Sequence, residues 1–106
     1  MDPIVLANAN LRMEFSPDTG ALIGLHALKS GWSILDRPQL GLSFRLLVPL
    51  SEELRNNAVL GEKQPLASHQ VSPDGRSALF TWGPLQSERG GQLDIGIELR
   101  IRLDEE

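Results

Sequence analysis

Two histidines, His26 and His69, are the side chains best suited to proton transfer near neutral pH or to metal binding. Neither has a second ligand at the short spacing that zinc sites use, and no neighbouring carboxylate pattern predicts a dyad. The absence of cysteine excludes thiolate catalysis, disulfide bonds and cysteine-ligated metals. The sequence contains no GxSxG nucleophile elbow, no HExxH zinc-binding motif, no P-loop and no glycine-rich dinucleotide-binding motif. We therefore interpret both histidines as structural, and we predict no catalytic residue, metal or cofactor.

Residues 55–64 concentrate side chains that suit the recognition of sugar hydroxyls, because amides both donate and accept hydrogen bonds and charged groups strengthen them. The alternative is a solvated loop whose amides cap its own turns. Glu52, Glu53 and Glu62 have the residue type of a glycosidase carboxylate pair, but carboxylates in a loop are mostly solvated. The candidate carbohydrate-binding residues are Trp32, Arg55, Asn56, Asn57, Glu62, Lys63 and Gln64.

The two tryptophans have different contexts, and an exposed indole offers a flat apolar surface to a sugar ring. Trp82 shares a strand face with Ala78 and Phe80, which predicts a place in the core. Trp32 follows Gly31 at the start of a short strand pattern, and both core packing and sugar stacking stay open for it.

Length and composition restrict the class of protein. The 106 residues fit one domain, and 41% hydrophobic with 23% charged residues is ordinary for a globular chain. A net charge of −4 gives no broad attraction to nucleic acid or anionic lipid. Because no long apolar run and no basic leader at Met1 are present, we expect no membrane partner and favour a cytoplasmic location.

Two hairpin patterns organise the chain. In the first, Leu11, Met13 and Phe15 alternate with polar residues, the turn 16–20 contains proline, aspartate and glycine, and an apolar arm follows over 21–28. In the second, the arms 66–72 and 76–82 flank a similar turn at 72–75. We expect each pair of arms to form an antiparallel hairpin.

The other strand predictions are shorter, with one exception. Residues 93–103 alternate without error, which predicts a single strand of about 35 Å. Because this pattern stops three residues before Glu106, we expect a fragment of a larger protein. We predict further strands over 4–7, 32–35 and 41–48, an irregular connection over 50–65 with a helical turn at 51–54, and a flexible polar loop over 86–92. The predicted class is all-β, in one domain over 1–106 that forms an antiparallel β-sandwich.

The opening phrase resembles the start of the galactose-mutarotase-like supersandwich domains of carbohydrate-active enzymes, such as glycoside hydrolases and polysaccharide lyases. An asparagine is followed by an alternating strand, an Asp-x-x-Gly-type turn, a small and aliphatic second strand, then a glycine and an apolar pair. The match covers about a third of the chain, at Asn10, 11–15, 17–20, 21–28, Gly31, Ile34 and Leu35. No motif places the catalytic histidine and glutamate of a mutarotase on His26, His69 or Glu62.

The resemblance implies a non-catalytic, amino-terminal accessory domain of a glycoside hydrolase-like enzyme. Its partner would be the catalytic domain of the same parent chain, which it would support, and substrate contact would be a second role. One alternative is a free-standing carbohydrate-binding module. Another is a structural domain that forms a homodimer through the strand at 93–103, since a long uncovered edge strand pairs readily with a copy of itself.

Overall fold

The computed structural model describes residues 2–36, 41–49 and 57–105, and within them the chain is built of antiparallel strands, which confirms the all-β class. A 3-10 helix at Gly61–Lys63 interrupts them. Among the described residues, no helix is long and apolar enough to cross a membrane. The strands are β1 (Ile4–Ala7), β2 (Leu11–Phe15), β3 (Leu22–Ala27), β4 (Trp32–Leu35), β5 (Arg45–Leu47), β6 (Ala58–Leu60), β7 (Ser68–Val71), β8 (Ser77–Trp82), β9 (Leu85–Ser87), β10 (Gly91–Leu93) and β11 (Ile97–Arg102).

The first sheet has four strands in the order β1-β2-β3-β4, so the predicted opening hairpin is confirmed as β2 and β3. Its turn ends at Gly20, which has a φ of +75°. A side chain at this position would be strained, and its Cβ would come within 2.6 Å of the Trp82 ring. The turn glycine therefore serves two purposes, reversal of the chain and close approach to the core.

The second sheet has the order β11-β8-β7, which confirms the second predicted hairpin. Along β8 the side chains alternate, and Ala78, Phe80 and Trp82 are buried. The apolar faces of the two sheets meet where the Phe15 and Phe80 rings lie 5.0 Å apart. Trp82 donates a hydrogen bond from Nε1 to the Thr19 carbonyl at 2.8 Å, and the prediction of a core position for this residue is confirmed.

The prediction of one uninterrupted strand over 93–103 is wrong. The described chain forms β10 and β11, separated at residues 94–96, because the strands that they pair with are themselves separated. β8 ends at Trp82, opposite Ile97, and β9 begins at Leu85, opposite Leu93. Between them the chain passes close to itself, since a Cβ on Gly83 would lie 2.9 Å from Gly96 Cα. A change of pairing partner thus splits a strand whose alternation is perfect.

Three further segments differ from prediction. The polar loop expected over 86–92 is a hairpin of β9 and β10, whose turn is held by Ser87 Oγ donating to the Gly91 carbonyl at 2.9 Å. The connection expected over 50–65 contains β6 and the 3-10 helix, and the helical turn at 51–54 lies outside the described residues. The strand expected over 41–48 is shorter, reduced to β5 and an isolated bridge between Leu42 and Leu22.

Two packed sheets agree with a sandwich-like arrangement, while assignment to a sandwich or supersandwich stays a prediction. The described strands do not show a galactose-mutarotase-like fold. The protein is elongated, with extents of 52 × 26 × 25 Å, so much of each sheet lies near solvent.

Candidate functional site

The outer face of the first sheet carries a row of polar side chains. The register places Arg12 opposite His26, and His26 opposite Ser33. Side chains two residues apart on a strand share a face, so Glu14 lies on the same side as Arg12. Met13 packs against the core from the other face. We call these four residues, Arg12, Glu14, His26 and Ser33, the polar row.

A continuous chain of hydrogen bonds joins three members of the polar row. His26 Nε2 lies 2.9 Å from Glu14 Oε1, and His26 Nδ1 lies 3.1 Å from Ser33 Oγ. An ionised carboxylate can only accept, so Nε2 carries the proton and donates to Glu14. In the neutral ring Nδ1 is then an acceptor, and the Ser33 hydroxyl donates to it. This arrangement leaves the lone pairs of the serine oxygen directed away from His26.

Gly24 provides the space that the Glu14 carboxylate occupies. Gly24 is the residue opposite Glu14 in the register. A Cβ there would collide with Glu14 Oε1 and would lie 3.2 Å from both Glu14 Cβ and Cδ. The missing side chain therefore allows the carboxylate to fold across β3 towards His26. Arg12 adds an ion pair from Nη2 to Glu14 Oε2 at 3.4 Å.

The neighbours of Glu14 favour its ionised form. The hydrogen bond with His26, helped by Arg12, holds the pKa of the Glu14 carboxyl below its usual value, against the opposing effect of partial burial. The polar row thus presents an anion, a cation, an imidazole and a hydroxyl in one small area. This set can donate hydrogen bonds to a polyhydroxylated ligand and accept hydrogen bonds from it.

The polar row contains the residue types of a hydrolytic triad, but its atoms are arranged differently. In serine hydrolases Nε2 of the histidine faces the nucleophile and Nδ1 faces the carboxylate. Here Nε2 of His26 faces Glu14. We therefore interpret the polar row as a hydrogen-bonding surface. The sequence shows no carboxylate pattern near either histidine, and the carboxylate that accompanies His26 comes from 12 positions away, brought there by strand register.

Trp32 begins β4, the outermost strand of the first sheet in the order of pairing, and its side chain is 74% exposed. It pairs with Ala27, so alternation places the indole on the opposite face from Ser33. Ile34 and Leu28 are also largely exposed on this strand and the turn before it. The β4 edge therefore offers an aromatic surface on one side and Ser33 of the polar row on the other.

Two of the predicted carbohydrate-binding amides are buried and bonded within the fold. Gln64 Nε2 donates to the Gln86 carbonyl at 2.8 Å, and Gln64 Oε1 accepts from the Gln86 backbone N–H at 2.7 Å. Asn57 Oδ1 accepts from the Arg89 backbone N–H at 2.8 Å. Asn57 Nδ2 is buried with no hydrogen-bond partner among the described residues. These amides fasten β6 and the 3-10 helix to the β9–β10 hairpin.

Glu62 and Lys63, the other predicted residues within the described part of the chain, lie apart from Trp32. Glu62 is exposed, and Lys63 Nζ lies 3.7 Å from Glu88 Oε1. Arg55 and Asn56 fall outside the described residues. The 3-10 helix follows β6, and Gly61 bonds to the Phe44 carbonyl near the Leu42 bridge at the Leu22 end of β3. Trp32 lies at the other end of β3, about 16 Å away at the usual rise per residue.

His69 lies on β7 and is exposed. Among the described residues, no group of three or more histidine, aspartate or glutamate side chains is placed to hold a metal ion. Comparison of the chain with protein-family models, curated proteins and solved structures gave no significant match.

Proposed function

We propose that this chain is a non-catalytic accessory domain of a glycoside hydrolase-like, carbohydrate-active enzyme, and that it contacts carbohydrate at the β4 edge. The observation that carries the proposal is the exposure of Trp32, an indole that is 74% accessible at the start of an edge strand. A flat aromatic ring in this position can stack on the apolar face of a sugar. The polar row lies on the other face of the same sheet, where it can bind hydroxyl groups of a sugar chain that passes around the β4 edge.

The role within a larger enzyme rests on the opening phrase of the sequence. That phrase, from Asn10 to Leu35, forms β2, β3, β4 and their turns, and therefore builds the edge that carries Trp32. The catalytic domain of the same parent chain is the proposed partner. Support of that domain and contact with its substrate are compatible roles, because Trp32 lies at one end of the first sheet and leaves the other end available for packing.

Titration calorimetry with a panel of oligosaccharides tests the contact, and W32A is the decisive variant. Loss of the indole is expected to weaken binding by about fivefold, because a stacked aromatic ring contributes roughly 1 kcal/mol. L47A is the matched control, since Leu47 is an exposed apolar residue on β5. Equal affinities for W32A and the unaltered chain would contradict the assignment of the contact to Trp32.

The same variants separate the accessory role from a free-standing binding module. Both roles predict that the isolated chain binds oligosaccharide, so binding alone does not separate them. An accessory domain shows its effect in the complete enzyme, where W32A should reduce activity on polymeric substrate while the domain stays folded. Unchanged kinetics of the complete enzyme, together with binding by the isolated chain, would favour the module.

A further inference from the structure

β11 is an edge strand whose side chains are arranged symmetrically about Leu99. In the order β11-β8-β7, β11 lies at the end of the sheet, and among the described strands it pairs with β8 alone. Glu98 and Arg100 precede and follow Leu99 and lie on one face of the strand, and Leu99 lies on the other face together with Ile97 and Ile101. The side chains of Glu98 and Arg100 are 54% and 79% exposed, and Leu99 is 40% exposed.

We propose that β11 pairs antiparallel with β11 of a second copy of this chain, with Leu99 opposite Leu99. In this register Glu98 of each copy lies opposite Arg100 of the other. Cross-strand pairs of opposite charge stabilise antiparallel strands, and here the two-fold axis produces two such pairs. Ile97 of each copy lies opposite Ile101 of the other, so the pairs on the face of Leu99 are apolar.

Neighbouring registers are unfavourable. A shift of two residues in one direction places Glu98 opposite Glu98 of the second copy, and the same shift in the other direction places Arg100 opposite Arg100. Like charges directly opposite each other destabilise a strand pair. A shift of one residue places Arg100 opposite Ile97 and turns the apolar side chains to the wrong face. The sequence of β11 therefore specifies one symmetric register.

Self-complementarity is the reason for choosing a second copy as the partner. An isologous contact requires that the same patch fit itself, and the charges of β11 are placed about Leu99 in this way. The intramolecular pair of Arg100 with Glu98, at 3.2 Å, lies between exposed side chains of one strand. Such a pair contributes little and can exchange for pairs across the dimer. Pairing would also provide hydrogen-bond partners for the backbone N–H and C=O groups on the outer edge of β11, and it would cover Leu99.

Charge reversal tests the register. E98R and R100E each replace both attractive cross-strand pairs by repulsive ones, so each variant alone should dimerise at least about tenfold more weakly in sedimentation equilibrium. An equimolar mixture of the two should form a heterodimer, because every opposed pair is then of opposite charge. Circular dichroism checks that both remain folded. A monomeric unaltered chain at high concentration, or a mixture that stays monomeric, would overturn the proposal.

Cysteine crosslinking tests the central contact directly, since the chain has no cysteine of its own. L99C should give a disulfide-linked dimer on mild oxidation, because residue 99 faces itself across the two-fold axis. V71C is the matched control: Val71 is also 40% exposed and lies on β7, at the opposite edge of the same sheet. Crosslinking of V71C as fast as L99C would contradict the assigned register.

Discussion

The Nε2 atom of His26 lies 2.9 Å from Oε1 of Glu14, on the open face of the first sheet. The hydrogen bond connects β2 with β3 and extends through His26 Nδ1 to Ser33 on β4. Three neighbouring strands are therefore joined through their side chains as well as through their backbones. The same side chains provide the polar part of the proposed carbohydrate contact.

Acid should weaken the fold through Glu14. Because the pKa of the Glu14 carboxyl is lowered in the folded chain, its contribution to stability is present above the unfolded pKa. That contribution is lost as the pH falls below this value and through the folded pKa. E14Q should therefore lower stability at pH 7 and flatten the fall in stability as the pH drops below the unfolded value of 4.5. Urea unfolding at several pH values measures both effects, with E62Q, at an exposed position, as the control.

Asp74 should produce a separate loss at lower pH. Hydrogen bonds from the Ser72 hydroxyl and from Arg76, with the Arg76 charge, lower the pKa of the Asp74 carboxyl from 3.8 to about 2. Its contribution is present above 3.8 and is lost as the pH falls through about 2, so D74N should remove the pH dependence in this range. The same unfolding series, extended to pH 2, measures it. An unchanged slope below pH 4 in D74N would contradict this assignment.

Substitution of Gly24 should break the Glu14–His26 hydrogen bond while both of those residues stay unchanged in sequence. In G24A the new methyl group would collide with Glu14 Oε1, and we expect a loss of about 1–3 kcal/mol in the free energy of unfolding. Nitrogen NMR of the imidazole reports the tautomer, which should be protonated at Nε2 in the unaltered chain and mixed in G24A. S33A keeps the bond to Glu14 and serves as the control. Retention of the Nε2–H tautomer in G24A would show that the carboxylate does not depend on Gly24.

Gln64 should be essential for stability, and not for binding. Q64A removes three part-buried hydrogen bonds and leaves the Gln86 backbone N–H and carbonyl without their side-chain partner, at a cost of about 2–3 kcal/mol. Q86A is the matched control, because Gln86 contributes its backbone to these bonds and its side chain is exposed. Thermal unfolding of the two variants measures the difference. Equal stability of Q64A and Q86A would contradict the structural role.

The two hairpins could be predicted because their signals are local. The turns at residues 16–20 and 72–75 contain the proline, aspartate and glycine that reverse a chain, and alternation marks the arms beside them. The break in residues 93–103 could not be predicted, since its cause is the change of partner at Gly83 and Pro84 on another strand. Alternation reports which face a residue takes, and it does not report where the neighbouring strand ends.

The candidate site could be predicted only in part, because it too depends on which strands lie side by side. Glu14, His26 and Ser33 come together through the register of three strands, and a glycine at position 24 is the only local trace of their arrangement. Asn57 and Gln64 have the chemistry of sugar ligands, but their partners are backbone groups of residues 86 and 89. Trp32 differs, because the sequence places it beside a turn glycine at the start of a short strand. That position is compatible with a buried side chain and with an exposed one.

Tryptophan fluorescence during titration with oligosaccharides tests the central claim most directly. Trp82 is buried at 3% exposure and Trp32 is open to solvent, so a bound sugar should change the emission of Trp32 alone. The account predicts a saturable blue shift and protection from acrylamide quenching, both absent in W32F and retained in L47A. Saturable binding of the same oligosaccharides with no change in the emission or quenching of Trp32 would contradict it, as would the absence of binding to any member of a broad panel.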